Sequence, residues 1–182
     1  HGKVVCAVGK GLAQAWVWDK TQYVDLTLDV SAGDSKVTFQ QCIFSPDEQH
    51  LYLLDHRSKK IAVAVYQVSQ RAAKLLARQP LFSKDVNGAV DVALLPEESG
   101  LIVATGSHNC RFVPMRWGSG EVEITEQGNM SDVEMQMMKD LVDLGEPRGT
   151  RFNPEQIVLS PDGSRMALID GTRFFVLGRD PN

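Results

Sequence analysis

No stretch of this 182-residue chain approaches the roughly 18 consecutive apolar residues that a membrane-spanning helix needs. No charged-then-apolar leader stands at the start, so a retained signal peptide is not expected. The first residue is His1 rather than Met, as expected of a processed product or an excised piece. A basic stripe is also missing: 19 Lys and Arg lie scattered among 23 acids, for a net charge of −4. Direct nucleic-acid binding is therefore not expected. Cysteine is scarce, and Cys6, Cys42 and Cys110 stand far apart. The four histidines, His1, His50, His56 and His108, are dispersed as well. Zinc ligands sit about two to four residues apart in pairs, and no such pair exists, so no metal site is expected. Each cysteine lies in or beside an apolar run (VVCAV, QCIF, NCRFV) and reads as a small buried hydrophobe in a reducing compartment, cytoplasm or nucleus. Gly-x-Ser-x-Gly, Gly-x-Gly-x-x-Gly after a strand, and a phosphate loop are all absent, and no cofactor is expected. The Gly-rich GKGLAQA (9–15) lacks the phosphate-loop spacing and lies between two strand-like runs.

What is present is an ordinary globular balance, 43% hydrophobic and 23% charged, of a size for one domain over 1–182. The apolar residues fall in many short runs of strand length, punctuated by turn residues. VVCAV, AQAWVW, YVDLTL, FQQCIF, LYLL and IAVAVYQV come first; AVDVALL, LIVATG, CRFVPMRW, QIVLS, RMALI and RFFVLG follow. Three of the turns are alike. Ser45-Pro46-Asp47, Leu95-Pro96-Glu97 and Ser160-Pro161-Asp162 each close one apolar run and open the next. Proline presets φ at the first turn position, and Asp or Gly closes the turn. Aromatics recur with them at Trp18, Tyr66, Trp117 and Phe175, in steps of 48, 51 and 58 residues. Four short strands per period of that size is the pattern of a β-propeller blade. The fold expected is all-β: blades of four-stranded antiparallel sheet, about four of them or part of a larger ring, with one inserted short helix.

GLIVATGSHNCRFVPMRWGSG (100–120) resembles a WD repeat, and QAWVWDKTQYVDLTL (14–28) carries a Trp18-Asp19 pair. FSPDEQHLYLLDHRSKKIAV (44–63) resembles that family too. It is also similar to the bacterial lactonase-like propellers, in which Ser-Pro-Asp precedes Leu-Tyr-Val and a strand ending in Val-Tyr. Only one Trp-Asp is present, and the Gly-His that precedes a WD blade is missing. The resemblance implies a propeller with degenerate repeats.

Residues 126–154 break the period. Ser131 with Glu134 forms a capping box, Val133, Met137, Leu141 and Leu144 share a helical face, and Gly145 with Pro147 ends the pattern. This spacing predicts an inserted loop carrying a helix over 131–144. Strand counting gives three strands in the first unit, four in each middle unit and three at the end. Ring closure then calls for a further segment, self-association or a complementing propeller half.

In a propeller, the turns between second and third strands crowd one face near the channel. Here those turns would present Asp55, His56, Arg57, His108, Asn109, Arg111 and Asp170 as polar partner-binding residues on a rigid scaffold. None is assigned a catalytic role, because neighbours on one turn, such as Asp55 and His56, do not face each other. Trp16 and Trp18 are two apart on one strand, point to one face, and are expected in the core between blades. The function expected is a non-catalytic protein-interaction scaffold of the WD-repeat-like type, a subunit or fragment of a larger complex. The alternative implied by the second resemblance is a lactonase-like propeller enzyme acting on a small molecule at the loop mouth.

Overall fold

The computed structural model describes residues 4–9, 12–28, 38–57, 60–69, 72–80, 89–105, 109–125, 141–143, 155–170 and 173–179. Alternating apolar residues make nearly all of them strand. A three-stranded meander comes first: β1 (Val4–Gly9), β2 (Leu12–Trp18) and β3 (Tyr23–Leu28). β4 (Thr38–Phe44), β5 (His50–Arg57), β6 (Lys60–Val68) and β7 (Ala72–Pro80) form the next unit. β8 (Ala89–Leu94), β9 (Gly100–Thr105), β10 (Asn109–Trp117) and β11 (Val122–Ile124) form a third. β12 (Leu141–Asp143) precedes β13 (Gln156–Leu159), β14 (Arg165–Asp170) and β15 (Arg173–Arg179).

The sheet orders are β1-β2-β3-β7-β6-β5-β4, β11-β10-β9-β8 and β12-β15-β14-β13. Four-stranded antiparallel blades are thus present as the periodicity predicted. The seven-stranded sheet joins the first meander to the next blade through a short parallel pairing, Thr27 with Ala72 and Leu28 with Ala73. Its two end strands, β1 and β4, pack against each other, so the sheet curls into a nearly closed barrel-like form.

The expected helix over 131–144 lies mostly outside the described residues, but its last turn is corrected. Leu141, Val142 and Asp143 are a strand that pairs antiparallel with Arg179, Gly178 and Leu177. The physical reason is an unpaired edge: β15 would otherwise end its sheet with open N–H and C=O groups. The fourth strand of the last blade therefore comes from the segment before its first strand, and the three-strand count for that unit becomes four.

By packing, the chain divides into two compact units, residues 1–84 with 116–124, and residues 85–115 with 125–182. In the first, one face of the meander (Val4, Ala15, Leu26) meets Phe39, Leu51, Leu53, Ala64 and Tyr66 in a continuous core. The opposite face of the β4–β7 blade is also buried, through Tyr52, Leu54, Val63 and Val65. Such double burial is why LYLL and IAVAVY read as nearly unbroken apolar runs. In the second unit Ala93 and Ala104 pack on Ile157, Met166 and Leu168. Bulges interrupt β4 between Phe39 and Gln41 and β8 between Ala89 and Asp91.

The Ser-Pro-Asp corners fold alike. Ser45 Oγ donates to Asp47 at 2.6 Å and accepts from the His50 N–H at 2.9 Å. Ser160 Oγ donates to Asp162 at 2.6 Å and accepts from the Arg165 N–H at 2.8 Å. The next residue is left-handed in each: Glu48 at φ 60° and Gly163 at φ 67°. Pro96 begins a single 3₁₀ turn, Pro96–Glu98, in the corresponding place, where Glu98 has φ 54°. These corners are building blocks of the blades.

Candidate functional site

Alternation along β1 to β3 sends Val4, Cys6, Ala15, Val17, Leu26 and Leu28 inward and turns the alternate residues to an outer face. Cross-strand register aligns Val5 with Trp16, Trp16 with Asp25, and Trp18 with Tyr23 on that outer face. Val5 is 41% exposed, Trp18 42% and Tyr23 48%. Trp16 is half-buried. The expected burial of Trp18 between blades is thus corrected: the small residue Ala15 and Leu26 supply the packed face, and the indole stands on the outer one.

The hairpin joining β2 to β3 fixes this face. Asp19 Oδ1 accepts from the Thr21 N–H at 3.0 Å, the Thr21 hydroxyl at 2.8 Å and the Gln22 N–H at 3.0 Å. This local carboxylate knot closes the turn without help from the core. Lys20 takes the left-handed φ of 87° within it. The Trp18 and Tyr23 rings meet edge to face, 5.1 Å between centroids and 62° between planes. Such a pair adds about 0.5–1.5 kcal/mol beyond its area. Gln14 Nε2 donates to Asp25 Oδ1 at 3.3 Å on the same face.

Beside the aromatic pair lies a groove of about 580 Å³ lined by Val17, Trp18, Asp19, Lys20, Val24, Asp25 and Thr27. Its lining combines one indole and two valines with two carboxylates, one ammonium and one hydroxyl. An arrangement of this kind can hold an apolar side chain of a partner while its charges orient the partner's polar groups. Sequence reasoning missed this site because Trp18-Asp19 reads as a repeat motif. The signal was there in Trp18 and Tyr23 flanking a polar Asp-Lys-Thr-Gln turn.

The loop-mouth residues stand differently. Asp55, His56 and Arg57 end β5, Asn109 and Arg111 lie on β10, and Asp170 ends β14. Their backbone is strand where turns were expected, and Arg111 is the third residue of β10. Their side chains, and His108 entirely, lie outside the described residues. No helix among the described residues is long and apolar enough to cross a membrane.

No protein-family model and no curated protein matches the chain. Solved structures do match it in fold. The periplasmic gluconolactonase of Pseudomonas aeruginosa superposes with a TM-score of 0.52 at 17% identity, over 70% of this chain and 38% of that one. A protein from Lactobacillus plantarum gives 0.54 at 14% identity, over 92% of this chain and 46% of that one. The C-terminal WD40 domain of Sif2 gives 0.50 at 12% identity, over 97% of this chain and 42% of that one. The chain spans less than half the length of these three structures. A gluconolactonase and a WD40 domain share this likeness, so both sequence resemblances converge on one scaffold: the chain has a β-propeller-like fold.

Proposed function

We propose that this chain is a non-catalytic protein-interaction scaffold of the propeller type, one piece of a larger complex. The observation that carries this reading is the exposed, edge-to-face Trp18–Tyr23 pair with a groove beside it. Tryptophan and tyrosine dominate the few residues that carry binding energy at protein interfaces. The partner presents an apolar side chain to the groove. Asp55, His56, Arg57, His108, Asn109, Arg111 and Asp170 are proposed as further polar partner-binding residues.

A photo-crosslinking amino acid at position 20, beside the groove, identifies the partner, which is then purified and titrated against the wild-type chain and the Trp18→Ala, Tyr23→Ala double variant. A loss of affinity of tenfold or more, about 1.4 kcal/mol, is expected. Unchanged affinity for the double variant defeats the proposal.

The second reading, a lactonase-like enzyme, draws support from the fold shared with the gluconolactonase. It requires hydrolysis of a sugar lactone above the buffer rate by the purified chain, lost on chelation when a metal assists. Such turnover would replace the non-catalytic reading.

A further inference from the structure

Two strands that are far apart in the sheet order meet at one place. β1 and β4 are the opposite ends of the seven-stranded sheet, and they share no backbone ladder in that order. They pack through side chains: Val4, Cys6 and Val8 from β1, with Phe39, Cys42 and Phe44 from β4. In the middle of this seam stand two thiols. The Cys42 Sγ–H donates to the backbone carbonyl of Cys6 at 3.8 Å, across 36 residues of chain. The Cys6 Sγ–H reaches the neighbouring Ala7 carbonyl at 4.0 Å. Both cysteines are half-buried and neither is in a disulfide.

We propose that Cys6 and Cys42 are a dithiol modification site that low-molecular-weight disulfides such as oxidised glutathione convert to a disulfide, locking β1 to β4 and closing the seam covalently. The seam is where such a bond has most to do. Elsewhere in this sheet the described strands are held by hydrogen-bonded ladders, whereas here closure depends on side-chain packing and the single thiol–carbonyl contact. A cross-link over 36 residues also removes loop entropy from the unfolded chain.

The two thiols are unequal, which gives the exchange a direction. The adjacent Cys6 thiol favours the Cys42 thiolate and holds its pKa below the ordinary value. Its pairing with Cys42, together with burial, pushes Cys6 upward. Cys42 is therefore the attacking sulfur. Its thiolate attacks one sulfur of glutathione disulfide, the S–S bond breaks, and one glutathione thiolate leaves and takes up the proton that Cys42 lost. Cys6 then gives its proton to solvent and attacks the Cys42 sulfur of the mixed disulfide. The Cys6–Cys42 bond forms, and the second glutathione leaves as a thiolate that is protonated. Two cysteine thiols are oxidised by two electrons, and one glutathione disulfide is reduced to two glutathione thiols.

Trypsin separates all three cysteines, on the peptides 4–10, 37–57 and 85–111. The native 182-residue chain, equilibrated in glutathione redox buffers and then alkylated, is mapped without reduction, alongside the same chain oxidised in urea. The expected result is a 4–10/37–57 cross-link that dominates under native conditions and loses its dominance in urea. The oxidised native protein should also melt about 5–10 °C higher than the reduced one, and Cys110→Ser should retain both effects. Cross-links that involve 85–111, chains joined to one another, or a 4–10/37–57 link no more frequent than in urea would overturn the proposal. An unchanged melting temperature for the cross-linked chain would overturn the locking role. The wild-type map needs no variant at Cys6 or Cys42, so misfolding of such a variant cannot mask the answer.

Discussion

Asp162 collects its partners from within its own turn: the Ser160 hydroxyl at 2.6 Å, the Ser164 N–H at 3.1 Å and the Ser164 hydroxyl at 2.9 Å. Those donors favour the ionised form and hold its pKa down to about 2, with the Ser160 hydrogen bond the largest cause. Ser45 and the Gln49 N–H depress Asp47 in the same manner. The sign follows: a carboxylate depressed in the folded state contributes stability above its ordinary value, near 3.9, that is lost as pH falls toward 2. Asp162→Asn should therefore be less stable than wild type at pH 6, and the gap should shrink steadily as urea unfolding is repeated toward pH 2. A gap that stays constant over this range would show that the carboxylate charge plays no part. The next residue is constrained by space as well as by φ. A Cβ on Gly163 would stand 2.5 Å from Pro96 Cγ and 2.8 Å from its Cδ, in a left-handed backbone of φ 67°. Gly163→Ala should cost about 1–3 kcal/mol in chemical denaturation.

At the scale of elements, one side chain ties the end strands of two sheets together. Asp91, just past the β8 bulge, accepts the Ile157 N–H of β13 at 2.7 Å. The bulge turns this residue toward its neighbour, which is what an extra residue in a strand can do. Asp91→Ala leaves that N–H without its acceptor and should cost about 1–3 kcal/mol, while Asp91→Asn keeps an acceptor and should lose less. Equal losses in urea titrations of the two variants would deny the hydrogen bond its role. Much of this layer was readable in the sequence. The Pro corners, the aromatic period and the alternating runs together located the strands, because each reports a local constraint. The strand at Leu141–Asp143 was not readable. Its helical spacing is a local signal, whereas its pairing with β15 meets a need of a distant edge. The bulges left no mark either, since they are set by register between strands. The exposed Trp18 was misjudged for a related reason: alternation says that Trp16 and Trp18 share a face, but only the partner layer decides which face is covered.

For the whole molecule, the deciding interaction is burial on both sides of the β4–β7 blade. Leu53 aligns with Cys42 on one side and Ala64 on the other, and it has no exposed surface. It belongs to the same core as Val4, Ala15 and Leu26 of the first meander, so one side chain helps hold the meander and the blade that follows it in a single sheet. Leu53→Ala removes that anchor and leaves a cavity in a region where small neighbours, Ala15, Ala64 and Ala73, cannot move in to fill it. A loss of about 2–5 kcal/mol is expected, read as a lower denaturant midpoint with an unchanged slope. Leu53→Met, which keeps the volume, should cost less than about 1.5 kcal/mol. A changed slope in the alanine variant would mean that the meander detaches before the blade unfolds. Leu53 would then hold two structures together instead of stabilising one.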